Sequence, residues 1–82
     1  MLIAPASANV IGKIANGIAD DMLTTTVMAA TCKKIIAPAM NHNMYHNPIV
    51  QENIEKLKSH GYEIVEPVKG MLANRDIGDG KL

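Results

Sequence analysis

Leu2-Ile3-Ala4-Pro5-Ala6 returns almost letter for letter as Ile35-Ile36-Ala37-Pro38-Ala39, displaced by 33 positions. Each is a short apolar run bounded by proline, which reads as a buried strand. A displacement of about 30 residues is the length of a strand, a crossover helix and the next parallel strand. A third run, Tyr62-Glu63-Ile64-Val65-Glu66-Pro67, closes the same way. Parallel strands point in one direction, so the loops that follow them gather at the carboxyl edge, where ligands bind in open α/β sheets.

The segment between the first two strands carries Val10, Ile11, Ile14, Ala15, Ile18, Ala19, Met22 and Leu23 at three- and four-residue intervals, the apolar face of a helix packed on a sheet. Ser7 or Asn9 would cap it. Thr24 to Ala30 either continues this helix or opens a second one. After the second strand, Asn47-Pro48 is a helix start, with Ile49 or Val50, Ile54 and Leu57 as its apolar stripe and Gly61 as its terminator. The tail from Lys69 to Leu82, with Gly70, Gly78 and Gly80, reads as an irregular loop. The order β-α-(α)-β-α-β leaves one sheet face bare and looks like the later part of a doubly wound domain.

Composition narrows the function classes. Eight basic and eight acidic residues give no net charge, which removes the electrostatic case for nucleic acid or an acidic membrane. Hydrophobic residues at 48% against 20% charged exclude a disordered chain, and no run of 18 apolar residues reads as a membrane span. With no Phe, no Trp and only Tyr45 and Tyr62, aliphatic side chains must fill the core, as expected for a segment of a larger fold. A single cysteine, Cys32, and no signal-peptide pattern lead to the expectation of a cytoplasmic chain.

At the carboxyl edge, Pro5-Ala6-Ser7-Ala8-Asn9 and Pro38-Ala39-Met40-Asn41 combine small residues, a hydroxyl, free amides at a helix start and two carboxamides. Such a lining suits a planar heteroaromatic ring with imide edges, although ordinary capping turns have the same composition. Four other features read as structural. His42 and His46 stand four apart, but the surrounding Asn41, Asn43, Asn47 and Pro48 indicate a loop, without a third metal ligand. Gly12-Lys13-Ile14-Ala15-Asn16-Gly17 lacks the Lys-Ser/Thr pair of a phosphate loop, and its glycines are expected to let the helix approach the sheet. Asp20 and Asp21 are expected on a solvated helix face or in an interface contact. Cys32 falls before the second strand, at the amino edge.

The stretches PASANVIGKIANGIADDMLT, Pro5 to Thr24, and APAMNHNMYHNP, Ala37 to Pro48, resemble the flavin-dependent cysteine decarboxylases, whose signatures are PASANT and PxMNxxMW/Y. That family includes phosphopantothenoylcysteine decarboxylase of coenzyme A synthesis and the lantibiotic peptidyl-cysteine decarboxylases. The alanine of PAMN and the tail LANRDIGDGKL, Leu72 to Leu82, are more similar to the coenzyme A branch.

The resemblance implies an α/β, Rossmann-like (flavodoxin-like) parallel sheet with flanking helices, of which residues 1–82 form the second half, ending in a substrate flap over 69–82. It implies a trimer-forming flavoprotein with FMN between subunits. Ser7, Ala8, Asn9 and Val10 match the FMN-contacting stretch, with Ala39 or Met40 as further contacts. Asn41 matches the asparagine that grips the substrate carboxylate, and Met71, Leu72 and Ala73 fall in the flap. In the chemistry that the resemblance implies, FMN oxidises the cysteine moiety of phosphopantothenoylcysteine, carbon dioxide leaves, and the electrons return to give phosphopantetheine. Two departures stand out. Asn74 occupies the place of the flap cysteine that donates a proton, with Arg75 for the next glycine, and a carboxamide is no general acid near neutral pH. The family's FMN phosphate loop and catalytic histidine have no counterpart here. The expectation is therefore a part of the decarboxylase that is inactive alone and complements an amino-terminal half. The alternatives are a non-catalytic FMN-binding or regulatory subunit lending Asn41 to a partner, and a peptidyl-cysteine decarboxylase of the lantibiotic type.

Overall fold

A computed structural model describes residues 1–66; the expectations placed on Met71, Leu72, Ala73, Asn74 and the tail over 69–82 lie outside the described residues. The elements run β1 (Leu2–Ala6), α1 (Ala8–Ala15), α2 (Met22–Ala29), β2 (Ile35–Pro38), α3 (His42–Tyr45), α4 (Pro48–Ser59) and β3 (Glu63–Ile64). The strands form one parallel sheet in the order β1-β2-β3. Leu2 aligns with Ile35 and Ile3 with Ile36, while Ile36 aligns with Ile64 across the other side of β2. The repeated apolar runs are thus neighbouring strands, as their spacing requires.

Alternation along the strands decides which face is buried. Ile3 and Ile36 enter a cluster with Ile11 and Ile14 of α1, Val27 of α2, and Ile54 and Leu57 of α4. Leu2 on the alternate position is 64% exposed. α1 and α4 pack against one another, and Gly12 shows how: a Cβ there would stand 3.5 Å from Asn53 Nδ2. Gly12 therefore faces α4, where the sequence suggests contact with the sheet. Asn16 extends this seam, donating to Asn53 Oδ1 at 3.4 Å and accepting from Lys56 Nζ at 3.2 Å.

The apolar period between β1 and β2 is cut into two helices. α1 starts at Ser7, whose Oγ accepts from Val10 N at 3.2 Å, so Ser7 rather than Asn9 is the cap. It stops at Ala15 because Gly17 takes φ of +73°, a conformation that ends helices. Asp21 opens α2 by accepting from Thr24 N at 2.8 Å, while Thr24 Oγ1 accepts from Asp21 N at 3.2 Å. Local capping overrides the apolar period, and Ile18 and Met22 are left exposed. Asp20 and Asp21 are accordingly not residues of a solvated helix face: Asp21 is the cap, and both pair with Lys13 at 3.0 and 3.4 Å.

The Thr24 hydrogen bonds, first the backbone one, hold the Asp21 carboxyl below its ordinary range. Its stabilising contribution is full above the unfolded-state pKa and disappears as pH falls through the lowered folded-state value. Asp21→Ala is expected to lower the urea midpoint near neutral pH, with a smaller deficit in strong acid, where the protonated carboxyl still accepts from Thr24 but has lost its charge, in parallel unfolding series.

α4 follows its sequence signals closely. Asn47 Oδ1 accepts from Ile49 N at 2.8 Å with Pro48 at the first helical position. Gly61, at φ +93°, donates to Lys58 O, and Tyr62 N donates to Leu57 O, each at 3.0 Å, the paired bonds of a Schellman end. Val50 packs on the core, and Ile49 is 66% exposed, which resolves the two candidates for the stripe.

Candidate functional site

The parallel register places the ends of β1 and β2 side by side. Ala6 aligns with Pro38, and Ala39 N donates to Ala6 O at 3.0 Å, fastening the loop after β2 to the end of β1. The two asparagine-bearing segments that follow Ala6 and Ala39 therefore leave a common edge. Cys32 is exposed before β2, at the opposite end of the strands.

On the β1 side, Ser7 Oγ and Ser7 O accept from Val10 N and Ile11 N. The N–H groups of Ala8 and Asn9, the first of α1, donate to no group among the described residues. They are available to a polar ligand edge, and the small, half-buried side chain of Ala8 adds little bulk beside them, while Ala6 is enclosed in the core. Asn9 and Ser7 are exposed, whereas Val10 is half-buried against the core.

On the β2 side, the stretch expected as a loop contains a helical turn, α3. Asn41 causes it: its Oδ1 accepts from Met44 N at 2.8 Å, and Asn41 O accepts from Tyr45 N at 3.0 Å. Three asparagines and a proline favour a loop on average, but a single well-placed cap outweighs that preference. Because the carboxamide oxygen is committed to Met44, the Nδ2 donor is the part of Asn41 left for a ligand. Asn41 is half-buried. Ala39 is also half-buried, while Met40 is only 6% exposed and its side chain belongs to the core. The structure thus gathers Ser7, Ala8, Asn9, Ala39 and Asn41 at one edge and turns the Met40 side chain inward.

Tyr45 was visible in sequence only as a motif letter. Its ring is buried, its hydroxyl donates to Glu66 Oε1 at 2.6 Å, and its carbonyl accepts from Gln51 Nε2. Burial first, then the Glu66 carboxylate, pushes the phenol up to about 12, so it remains a donor at neutral pH. The His42 and His46 rings lie 4.3 Å apart between centroids. Among the described residues, no group of three His, Cys, Asp or Glu could hold a metal ion, and no helix is long and apolar enough to cross a membrane.

A family model described as Flavoprotein matches residues 1–82. The coenzyme A biosynthesis bifunctional protein CoaBC of Bacillus subtilis (strain 168) is 57% identical over 82 residues, covering 100% of this chain and 20% of that protein. A PPC decarboxylase mutant complexed with pantothenoylaminoethenethiol superposes with a TM-score of 0.82 at 40% identity, covering 89% of this chain and 41% of the other. The FMN-dependent cysteine decarboxylase SpaF superposes with a TM-score of 0.78 at 54% identity, covering 79% and 37%. The chain thus spans a fifth of its curated relative and about two fifths of the solved chains, whose Rossmann-like architecture it shares.

Proposed function

This chain belongs to the flavoprotein family, and from that premise we propose that it supplies one side of the active site of an FMN-dependent decarboxylase acting on phosphopantothenoylcysteine. The observation that carries the reading is the Asn41 turn: a carboxamide whose oxygen is locked to Met44 N, presenting its N–H donors at the edge shared with Ser7, Ala8 and Asn9. Donors without competing acceptors suit a carboxylate. The free N–H groups of Ala8 and Asn9 suit the carbonyl edge of an isoalloxazine, and the small side chains of Ala8 and Ala39 put little bulk beside its plane. FMN, when bound, supplies the two-electron oxidation and reduction that a side chain cannot. Asn41 binds and orients the carboxylate, and the Ser7 cap fixes the start of α1 against which the ring would lie. Trimeric assembly and the flap residues Met71, Leu72 and Ala73 belong to the same proposal.

The assembled, flavin-loaded protein should release carbon dioxide and form phosphopantetheine from phosphopantothenoylcysteine. Turnover of a cysteine-ending peptide instead would assign the chain to peptide modification. Formation of neither product overturns the decarboxylase reading.

One sequence feature favours a second reading, a flavin-binding subunit without turnover. Asn74 stands where the family signature has its proton-donating cysteine, and a carboxamide does not deliver a proton near neutral pH. Asn74→Cys should raise product formation about tenfold in an assembly with slow catalysis. Unchanged output, by chromatography of the products, favours the binding role.

A further inference from the structure

α3 is a single turn of four residues, too short to hold its own shape, so whatever orients Asn41 must come from attachments outside the helix. One attachment serves no step of the proposed reaction. Tyr45, at the far end of the turn, places its ring in the core and donates its hydroxyl to Glu66 Oε1 at 2.6 Å. Glu66 lies just beyond β3, whose Glu63 and Ile64 align with Ile35 and Ile36. The phenol therefore ties the turn after β2 to the end of β3, joining neighbouring strand ends at the carboxyl edge. Lys58 of α4 stands 4.0 Å from the other carboxylate oxygen, and Gln51 of α4 holds the Tyr45 carbonyl, so the strut is braced against that helix as well.

We propose that Tyr45 and Glu66 are positioning residues: their hydrogen bond fixes the turn on which Asn41 presents its amide, and thereby sets the affinity for a substrate carboxylate. The proposal rests on the reading of Asn41 as the carboxylate ligand. Geometry selects this pair because apolar packing of the ring carries no directional preference, whereas a short hydrogen bond to a carboxylate fixes direction as well as distance. Phe at position 45 keeps the ring in the core and removes only the donor. Gln at position 66 keeps an acceptor, and Ala removes it.

The experiment uses the assembled, flavin-loaded protein. Tyr45→Phe and Glu66→Ala should each raise KM for phosphopantothenoylcysteine about tenfold, the scale of one hydrogen bond to a charged group, with kcat within about twofold and flavin retention unchanged. The double variant should be no worse than either single one, and Glu66→Gln should stay near the unsubstituted KM. Additive losses, or an unchanged KM in Tyr45→Phe, overturn the proposal. Amide exchange at Met44, whose N–H donates to Asn41, should accelerate about tenfold in Tyr45→Phe and Glu66→Ala. Exchange does not depend on turnover. A protein that decarboxylates nothing but shows faster Met44 exchange in both variants retains the strut and loses the functional reading; unchanged exchange overturns the strut itself.

Discussion

Asn41→Asp in the assembled, flavin-loaded protein is expected to lower kcat/KM for phosphopantothenoylcysteine about a hundredfold or more while leaving the fold and flavin content intact. The separation follows from the two ends of one side chain. Asn41 Oδ1 caps α3 by accepting from Met44 N at 2.8 Å, and an aspartate oxygen accepts at that position equally well. What changes is the other end, where an amide donor becomes a second carboxylate oxygen. A substrate carboxylate that meets a like charge loses a hydrogen bond and gains repulsion at short range. Asn41→Ala loses the donor and the cap together, so it should combine weaker binding with a lower unfolding midpoint. Full activity in Asn41→Asp, measured by carbon dioxide release beside a flavin spectrum, would remove Asn41 from the site.

The parallel sheet was legible because its evidence repeats: two apolar runs ending at proline cannot be one helix, and their displacement leaves room for one crossover. Neighbouring loops at one edge then follow, and the Ala39 to Ala6 hydrogen bond is their physical form. The ends of α4 were legible for a similar reason, since Asn47-Pro48 and Gly61 are local signals that tertiary contacts do not contradict. The break between α1 and α2 was not, because an apolar period counts residues and gives no weight to a glycine at φ +73° or to an aspartate that finds Thr24. Composition failed again at α3, where asparagine is unfavourable inside a helix and favourable at its start. Glu66 escaped notice because its partner, Tyr45, is 21 residues away, and only the fold brings them within 2.6 Å.

Ile36→Ala should cost about 2–5 kcal/mol of stability, and Ile36→Val about 0.5–1.5 kcal/mol. Ile36 lies on the central strand, has no exposed surface, and aligns with Ile3 on one side and Ile64 on the other. It belongs to the same buried cluster as Ile11, Ile14, Ile54 and Leu57, which spans the sheet and the helices α1 and α4. A site enclosed on both layers relaxes poorly, which is why truncation to alanine adds a cavity term to the lost transfer energy. The chain has no Phe or Trp to spread into the gap. Against a typical net stability of about 5–15 kcal/mol, the alanine variant gives up a large fraction. Urea unfolding should show a midpoint that falls from Ile to Val to Ala with an unchanged slope, because the surface exposed on unfolding hardly differs. An Ala cost below about 1 kcal/mol, outside the range for an enclosed isoleucine, would place Ile36 away from the core and dissolve the register that sets Ala6 beside Pro38.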